Sequence, residues 1–161
     1  MKAISLYQPH ASGVANGCKL WETRPKPMPR TLVGRRVAIQ ASLRCTWRER
    51  ASFDWLMEDL ESRLRFEDQL EHGDFDCLPF GAIVCTALFV NYCATEQIVA
   101  VGLTGLELLW GNYDAGRFAW EMHDVVRLTT PVPMKFHQGV NEIQLPESAL
   151  ADHTAAQLAE F

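Results

Sequence analysis

Residues 17–24, GCKLWETR, place several reactive side chains in one short segment. They are two cations, an indole, a carboxylate and a hydroxyl: Lys19, Arg24, Trp21, Glu22 and Thr23. A lysine in a confined, partly apolar site can lose its proton and act as a base, or stay charged and hold an oxyanion. With a carboxylate and a hydroxyl or water beside it, Lys19 could support hydrolysis of an amide. The alternative is a solvated edge strand, with an exposed lysine near the end of a helix.

Glu22 and Arg24 are two residues apart, so they share one face of an extended strand, while Thr23 points to the other face. They can pair with each other or with a neighbouring strand. Alternatively, Glu22 orients Arg24 toward a phosphate or a base edge. If Glu22 serves as an acid or base, burial should raise its pKa.

Aromatic side chains are the candidates for stacking on a nucleobase. Trp120 has the same strand parity as Phe118 and Met122 and is therefore predicted to belong to the core. Trp110 and Tyr113, in the glycine-containing stretch WGNYDAG, are the better stacking candidates. The other residues predicted to contact a substrate are Gln8, whose amide could equally cap the next helix, Trp21, Arg24, Ser42 and Arg117.

Hydrophobic periodicity and turn residues predict the elements that position these side chains. Pro9 to about Asn16 is predicted to be a helix that Gly17 ends. Thr46 to about His72 is predicted to be one long helix, with a T-x-x-E capping box at its start and room for a break around 63–66. Strands are predicted at 2–7, 35–42, 81–93, 117–128 and 134–145, an extended segment at 19–24, a turn at 129–133, a short helix at 95–101 and a helical tail from Pro146.

The composition limits the classes of function. The net charge of −5 disfavours a general binder of long polyanions, yet residues 1–50 hold ten lysines and arginines against two glutamates. That asymmetry predicts either a basic face for an anionic partner or charges that mix in three dimensions. The five cysteines and five histidines show no metal-ligand spacing, so we expect no disulfide, metal or cofactor. No apolar run is long enough to span a membrane and no signal peptide is evident, so a cytoplasmic protein is expected.

Three stretches together resemble the ASCH domain, a branch of the PUA-like superfamily. They are ISLYQPHASGVANGCKLWETR (4–24), VAIQAS (37–42) and GRFAWEMHDVVRLTTPVPMKFHQGV (116–140). The resemblance implies an α+β fold, a small mixed PUA-like β-barrel flanked by helices. It also implies that residues 1–161 form a single domain, with a helical insertion near 46–72.

The resemblance further implies a function. Family members are linked to RNA binding, and some hydrolyse RNA or remove acyl groups from N4-acylcytidine. The deacylating members use a lysine, a threonine three residues later and a glutamate from a later segment. Lys19 matches the lysine, whereas Glu22 stands at the threonine's position with Thr23 next to it. Glu107 is the first positional match for the glutamate, and Glu121 is the second.

We therefore expect an amidohydrolase that removes an acyl group from the exocyclic amine of a modified cytidine. The alternatives are an RNA-binding ASCH module, with or without ribonuclease activity, and a domain whose acidic helix docks a protein. The expected partner is accordingly a modified nucleoside or single-stranded RNA.

Overall fold

A computed structural model describes residues 1–69, 74–135, 139–149 and 151 of the chain. The described residues form one six-stranded mixed sheet in which β1 and β3 run parallel and all other neighbours run antiparallel. The strands are β1 (Lys2–Leu6), β2 (Trp21–Arg24), β3 (Arg35–Ala41), β4 (Ala82–Ala94), β5 (Phe118–Pro133) and β6 (Asn141–Glu142), in the sheet order β2-β5-β4-β3-β1-β6.

Helices flank this sheet, so the fold is α+β as the sequence predicted. The helices are α1 (His10–Ala15), α2 (Trp47–Leu56), α3 (Leu60–Phe66), α4 (Thr95–Val101) and α5 (Gly105–Trp110), with a 3₁₀ turn at Phe75–Cys77.

The sheet is strongly curved. Arg24, on the end strand β2, donates from Nη2 to the carbonyl of Ser5 on β1, although β1 lies four places away in the sheet order. Shifts of register between β3 and β4, and at three points between β4 and β5, supply the bends that such curvature needs. The main core fills the concave side, where Val37 and Ile39 face α1 and Trp120. Ala38 belongs to a second cluster, as strand alternation predicted.

Helix α1 begins where the parallel strands β1 and β3 end. The Ser42 amide donates to the Leu6 carbonyl at 2.8 Å, which holds the two carboxyl ends together. Val14 is fully buried in the core, and Gly17, at φ +73°, ends the helical segment. The backbone then turns directly into β2, and Lys19 lies in this turn.

The predicted long helix from Thr46 is in fact two helices. The capping box is present, with the Thr46 amide donating to Glu49 at 2.8 Å. The break lies at 57–59, before the expected 63–66, because Asp59 caps a new helix by accepting the Ser62 amide at 2.8 Å. The predicted end at His72 lies outside the described residues.

Two predictions near the end of the chain were wrong in extent. Residues 129–133 continue β5, because Val132 and Pro133 pair with Ile83 and Ala82, and the register shift between Ile83 and Cys85 accommodates the prolines. The strand expected at 134–145 is reduced to β6, which pairs with β1. Residues 136–138 and most of the expected tail helix lie outside the described residues, although 147–149 are helical.

The cysteines are free thiols. Cys18 and Cys85 are buried, Cys93 is half-buried, and Cys45 and Cys77 are exposed. Within the part of the chain that the structure describes, no three or more His, Cys, Asp or Glu side chains lie where they could hold a metal ion. No helix among these residues is long and apolar enough to cross a membrane.

The closest backbone approach around α1 yields a stability prediction. A Cβ added at Gly13 would lie 2.3 Å from Cζ3 of the fully buried Trp110. Gly13→Ala should therefore lower the free energy of unfolding by about 1–3 kcal/mol, because overpacking outweighs the helix propensity of alanine. Gly105→Ala is the matched control, since its Cβ meets no atom within 4 Å. Urea unfolding of both variants checks this, and equal stabilities would contradict it.

Candidate active site

Lys19, Glu22 and Arg24 form an ionic cluster along β2, in which the Arg24 side chain is 34% exposed. Lys19 Nζ lies 2.9 Å from one Glu22 carboxylate oxygen, and Arg24 Nε lies 2.7 Å from the other. Lys19 and Glu22 are only 4% and 6% exposed. Glu22 faces the concave side because it pairs in register with Trp120, over whose ring the Arg24 guanidinium lies at 5.9 Å. Of the two readings of Glu22 and Arg24, the structure therefore shows that they pair with each other.

The pKa of Glu22 is lowered, the opposite of the shift expected if Glu22 served as an acid or base. Burial acts to raise it, but the charges of Lys19 and Arg24 and the hydrogen bond from Lys19 together outweigh burial. Glu22 is consequently a carboxylate at neutral pH. It serves as the counter-ion of two cations and does not hold a proton for transfer.

Glu107 fixes the backbone that carries Lys19. Its carboxylate accepts hydrogen bonds from the amides of Leu20 (2.7 Å) and Trp21 (3.2 Å) and from the Tyr113 hydroxyl (2.7 Å). Burial, followed by the hydrogen bond to Glu107, raises the pKa of Tyr113. The sequence thus selected a carboxylate that lies at the segment, and the structure shows it holding the turn in place.

Thr23 lies on the opposite face of β2 from Glu22. Its hydroxyl accepts the Asn112 amide at 3.3 Å, and its carbonyl accepts from Arg117 Nη2 at 3.0 Å. The alternation expected of an extended segment is therefore observed. Thr23 does not bring a hydroxyl to the Lys19–Glu22 cluster, so its assignment to the same catalytic set was wrong.

His10 is a member of the site that the sequence reasoning missed. It is the first residue of α1 and packs edge-on against the Trp110 ring, with 6.0 Å between the ring centroids. The charges of Lys19 and Glu22 both influence its pKa. Burial and then the Lys19 charge lower its pKa to about 4, while Glu22 and a hydrogen bond to the Trp110 backbone act in the opposite sense. In the sequence, His10 directly follows Pro9 at the start of the predicted helix, but the histidines were considered only for metal-ligand spacing.

Trp110 is not available to stack on a substrate. It is the last residue of α5, fully buried, donating from Nε1 to Ser62 Oγ at 2.9 Å and stacking on Phe66 at 5.5 Å. The prediction placed it in a loop because of Gly111, whereas the Thr104 cap sets the start of a helix that includes it. Trp120 is 6% exposed in the main core, as predicted.

Gln8 and Ser42 are occupied by internal hydrogen bonds. The buried Gln8 amide donates to Ser12 Oγ (2.8 Å) and to the Pro79 carbonyl (2.6 Å), and it accepts the Ser12 amide (3.1 Å). It therefore performs the helix-capping role that was its alternative. The Ser42 hydroxyl accepts the Arg44 amide at 3.1 Å. Trp21, Tyr113 and Arg117 are half-buried. The Tyr113 hydroxyl donates to Glu107 and Arg117 donates to the Thr23 carbonyl, whereas Trp21 shares the strand face of Thr23.

Unused hydrogen-bonding capacity is concentrated around β2. Among the described residues, three buried side-chain nitrogens have no hydrogen-bond partner: His10 Nδ1, Arg24 Nε and Arg117 Nε. Arg24 Nε is close to Glu22 but is not directed along a hydrogen bond. Buried polar atoms are normally satisfied, so this cluster has the character of a ligand site.

A cavity of about 220 Å³ lies elsewhere. Its lining is Gln69, Cys77, Pro79, Val84, Arg127, Leu128, Thr129 and Pro131, none of which belongs to the cluster. The lining of this cavity holds one ionisable cation, Arg127, whereas the cluster combines two cations with a carboxylate. The cluster is therefore the better candidate for a reactive site. Because Lys19 is almost fully buried, a ligand can reach it only after side chains around it move.

The basic residues of the first 50 positions are largely neutralised by acidic residues. Arg36 pairs with Asp124, Arg50 lies 2.6 Å from Asp76, and Lys2 lies 3.1 Å from Glu142. These acids come from the acidic remainder of the chain. The structure therefore favours mixed charges over one continuous basic face.

Comparison with solved structures finds chains of an ASCH protein from Zymomonas mobilis. Its wild-type structure is 12% identical, with 96% of this chain and 93% of that chain covered and a TM-score of 0.48. A serine-to-alanine variant of that protein is 13% identical, with 96% of this chain and 94% of that chain covered and a TM-score of 0.48. A tyrosine-to-phenylalanine variant is 12% identical, with 96% of each chain covered and a TM-score of 0.49. No family model and no curated protein matches the chain.

Removing the carboxylate of Glu22 should lower the free energy of unfolding. Glu22→Gln would leave Lys19 buried without its counter-charge, and loss of one partner of a buried pair costs about 3–5 kcal/mol. The double variant Lys19→Met/Glu22→Gln should recover much of that loss, because no unpaired lysine remains. A double-mutant cycle by urea unfolding measures the coupling. Additive effects would contradict a paired cluster.

Acid should destabilise the protein partly through His10. The folded pKa of about 4 is below the ordinary 6.5, so the unfolded chain binds more protons between these values. Stability attributable to neutral His10 is therefore present above pH 6.5 and lost as the pH falls toward 4, by at most about 3 kcal/mol. His10→Gln should flatten this part of the curve of unfolding free energy against pH. An unchanged curve would refute the assignment.

Proposed function

We propose that this protein is a hydrolase that removes an acyl group from the exocyclic amine of a modified cytidine, with N4-acetylcytidine as the model substrate. The observation that carries the proposal is the buried ion pair of Lys19 and Glu22, to which the partly exposed Arg24 adds a second cation. The resulting net positive charge suits a reaction in which negative charge develops on a carbonyl oxygen.

Lys19 is assigned as the donor that stabilises negative charge on that carbonyl oxygen. Its ammonium is held by one carboxylate and has further N–H donors, so an oxyanion can approach it without breaking the ion pair. Glu22 keeps the ammonium in position, and Glu107 fixes the backbone on the C-terminal side of Lys19. The nucleophile is then a water molecule, because Thr23 points to the other face of the strand.

The cytosine ring is assigned to the half-buried margin of the cluster. Tyr113 supplies aromatic surface there, and the unsatisfied Arg117 Nε supplies a donor for a base oxygen. A nucleoside, in place of a long polyanion, also agrees with the net charge of −5 and with the pairing of basic residues. The motif Q-P-x-A-S…G-x-K-x-x-E-x-R, which resembles that of the ASCH family, supports the same substrate class.

A second candidate, binding of single-stranded RNA, is favoured by one surface feature. Tyr7 and Trp47 are exposed, at 43% and 74%, and each lies beneath an arginine. Arg44 stands 4.7 Å above the Tyr7 ring, and Arg48 stands 5.5 Å from the Trp47 ring. Aromatic and guanidinium groups together are the usual platform for unpaired bases.

Incubation with N4-acetylcytidine tests the hydrolase. The wild type should release cytidine, and Lys19→Met should reduce turnover by at least about 100-fold, as loss of one oxyanion donor does. Lys26→Met is the matched control, because the Lys26 side chain is exposed. Circular dichroism establishes that each variant is folded.

Failure of the folded wild type to release cytidine would overturn the hydrolase proposal. Binding of short single-stranded RNA that weakens steeply with salt, and is lost in Trp47→Ala, would then favour the second candidate.

A further inference from the structure

The cluster needs a group that accepts a proton from water, and its charged members do not offer one. Lys19 Nζ is committed to Glu22, and each oxygen of Glu22 lies beside a cation. Glu107 is held by two backbone amides and a tyrosine hydroxyl. Within the described part of this cluster, His10 Nδ1 is the basic atom left without a partner.

The tautomer of His10 follows from its surroundings. Among the described residues, His10 Nδ1 is buried without a hydrogen-bond partner, whereas His10 Nε2 is not among the buried nitrogens that lack one. A buried N–H is rarely left without an acceptor, so we assign the proton of the neutral ring to Nε2 and the lone pair to Nδ1. A pKa of about 4 keeps the ring neutral above pH 5, so the lone pair is available throughout the neutral range.

His10 also lies within range of the charges that the reaction uses. The Lys19 and Glu22 charges both act on the ring, and the edge-on contact with Trp110 fixes its orientation. A buried, oriented imidazole nitrogen without a partner can accept a proton from water, while Lys19 supplies the N–H donors for the oxyanion.

We propose that His10, through Nδ1, is the catalytic base that activates the hydrolytic water, a role that rests on the proposed function. Nδ1 takes a proton from water as the water oxygen bonds to the acyl carbon and the carbonyl electrons move to the oxygen beside Lys19. The tetrahedral intermediate then reforms the carbonyl, the bond from carbon to N4 breaks, and N4 takes the proton from Nδ1. The products are cytidine and the carboxylic acid, and His10 is neutral again.

The first test needs no substrate. In ¹⁵N NMR of the wild-type imidazoles between pH 5 and 8, the His10 signals, assigned by their loss in His10→Asn, should show an unprotonated Nδ1 and a protonated Nε2. A protonated Nδ1 in this range would overturn the proposal, whatever the protein hydrolyses.

The second test is kinetic and uses N4-acetylcytidine. His10→Asn should lower kcat by at least about 100-fold with KM within about threefold, and added imidazole should restore part of kcat, as for a lost general base. His123→Asn is the control, because His123 is exposed and pairs with Glu121. His10→Gln, a second neutral variant, guards against a misfolded one.

The outcomes separate the two proposals. Wild-type turnover that persists in folded His10→Asn or His10→Gln would overturn the role of His10 and leave the hydrolase standing. A lowered thermal midpoint with kcat retained would show a purely structural role. No turnover by the wild type would overturn both.

Discussion

A buried ion pair persists only when attraction between the charges outweighs the cost of removing both from water. Lys19 and Glu22 meet this condition because the carboxylate has two cationic partners, Lys19 on one oxygen and Arg24 on the other. Arg24 in turn is tied to the Ser5 carbonyl, which links the cluster to the far side of the sheet. The result is a buried ion pair with one additional, partly exposed positive charge.

The rest of the structure holds this cluster in place. The parallel pairing of β1 and β3 sets the start of α1, and α1 delivers His10 at its first residue and Lys19 just after its end. From the other side, α5 presents Glu107 to the same turn, and the close contact of Gly13 with Trp110 seats α5 against α1. The site is therefore built where two helices and the end strand of the sheet converge.

Much of this was predictable from local sequence. Strand alternation placed Trp120 in the core and separated Thr23 from Glu22, and the motif around Lys19 drew attention to the turn that precedes the ion pair. Predictions failed where residues far away in the sequence determine the burial or the pKa of a side chain. Trp110 is buried because its ring stacks on Phe66 and its Nε1 donates to Ser62. The pKa of Glu22 is lowered because the charges of two cations outweigh burial. His10 belongs to the site because folding brings it near Trp110 and the charges of Lys19 and Glu22.

The most direct test of the account is a crystal structure of His10→Asn, the variant expected to bind without turnover, soaked with N4-acetylcytidine. The account predicts the acyl carbonyl oxygen within hydrogen-bonding distance of Lys19 Nζ, with the cytosine ring against Tyr113. A nucleoside bound only in the cavity beside Arg127, or on the surface around Trp47, would contradict it.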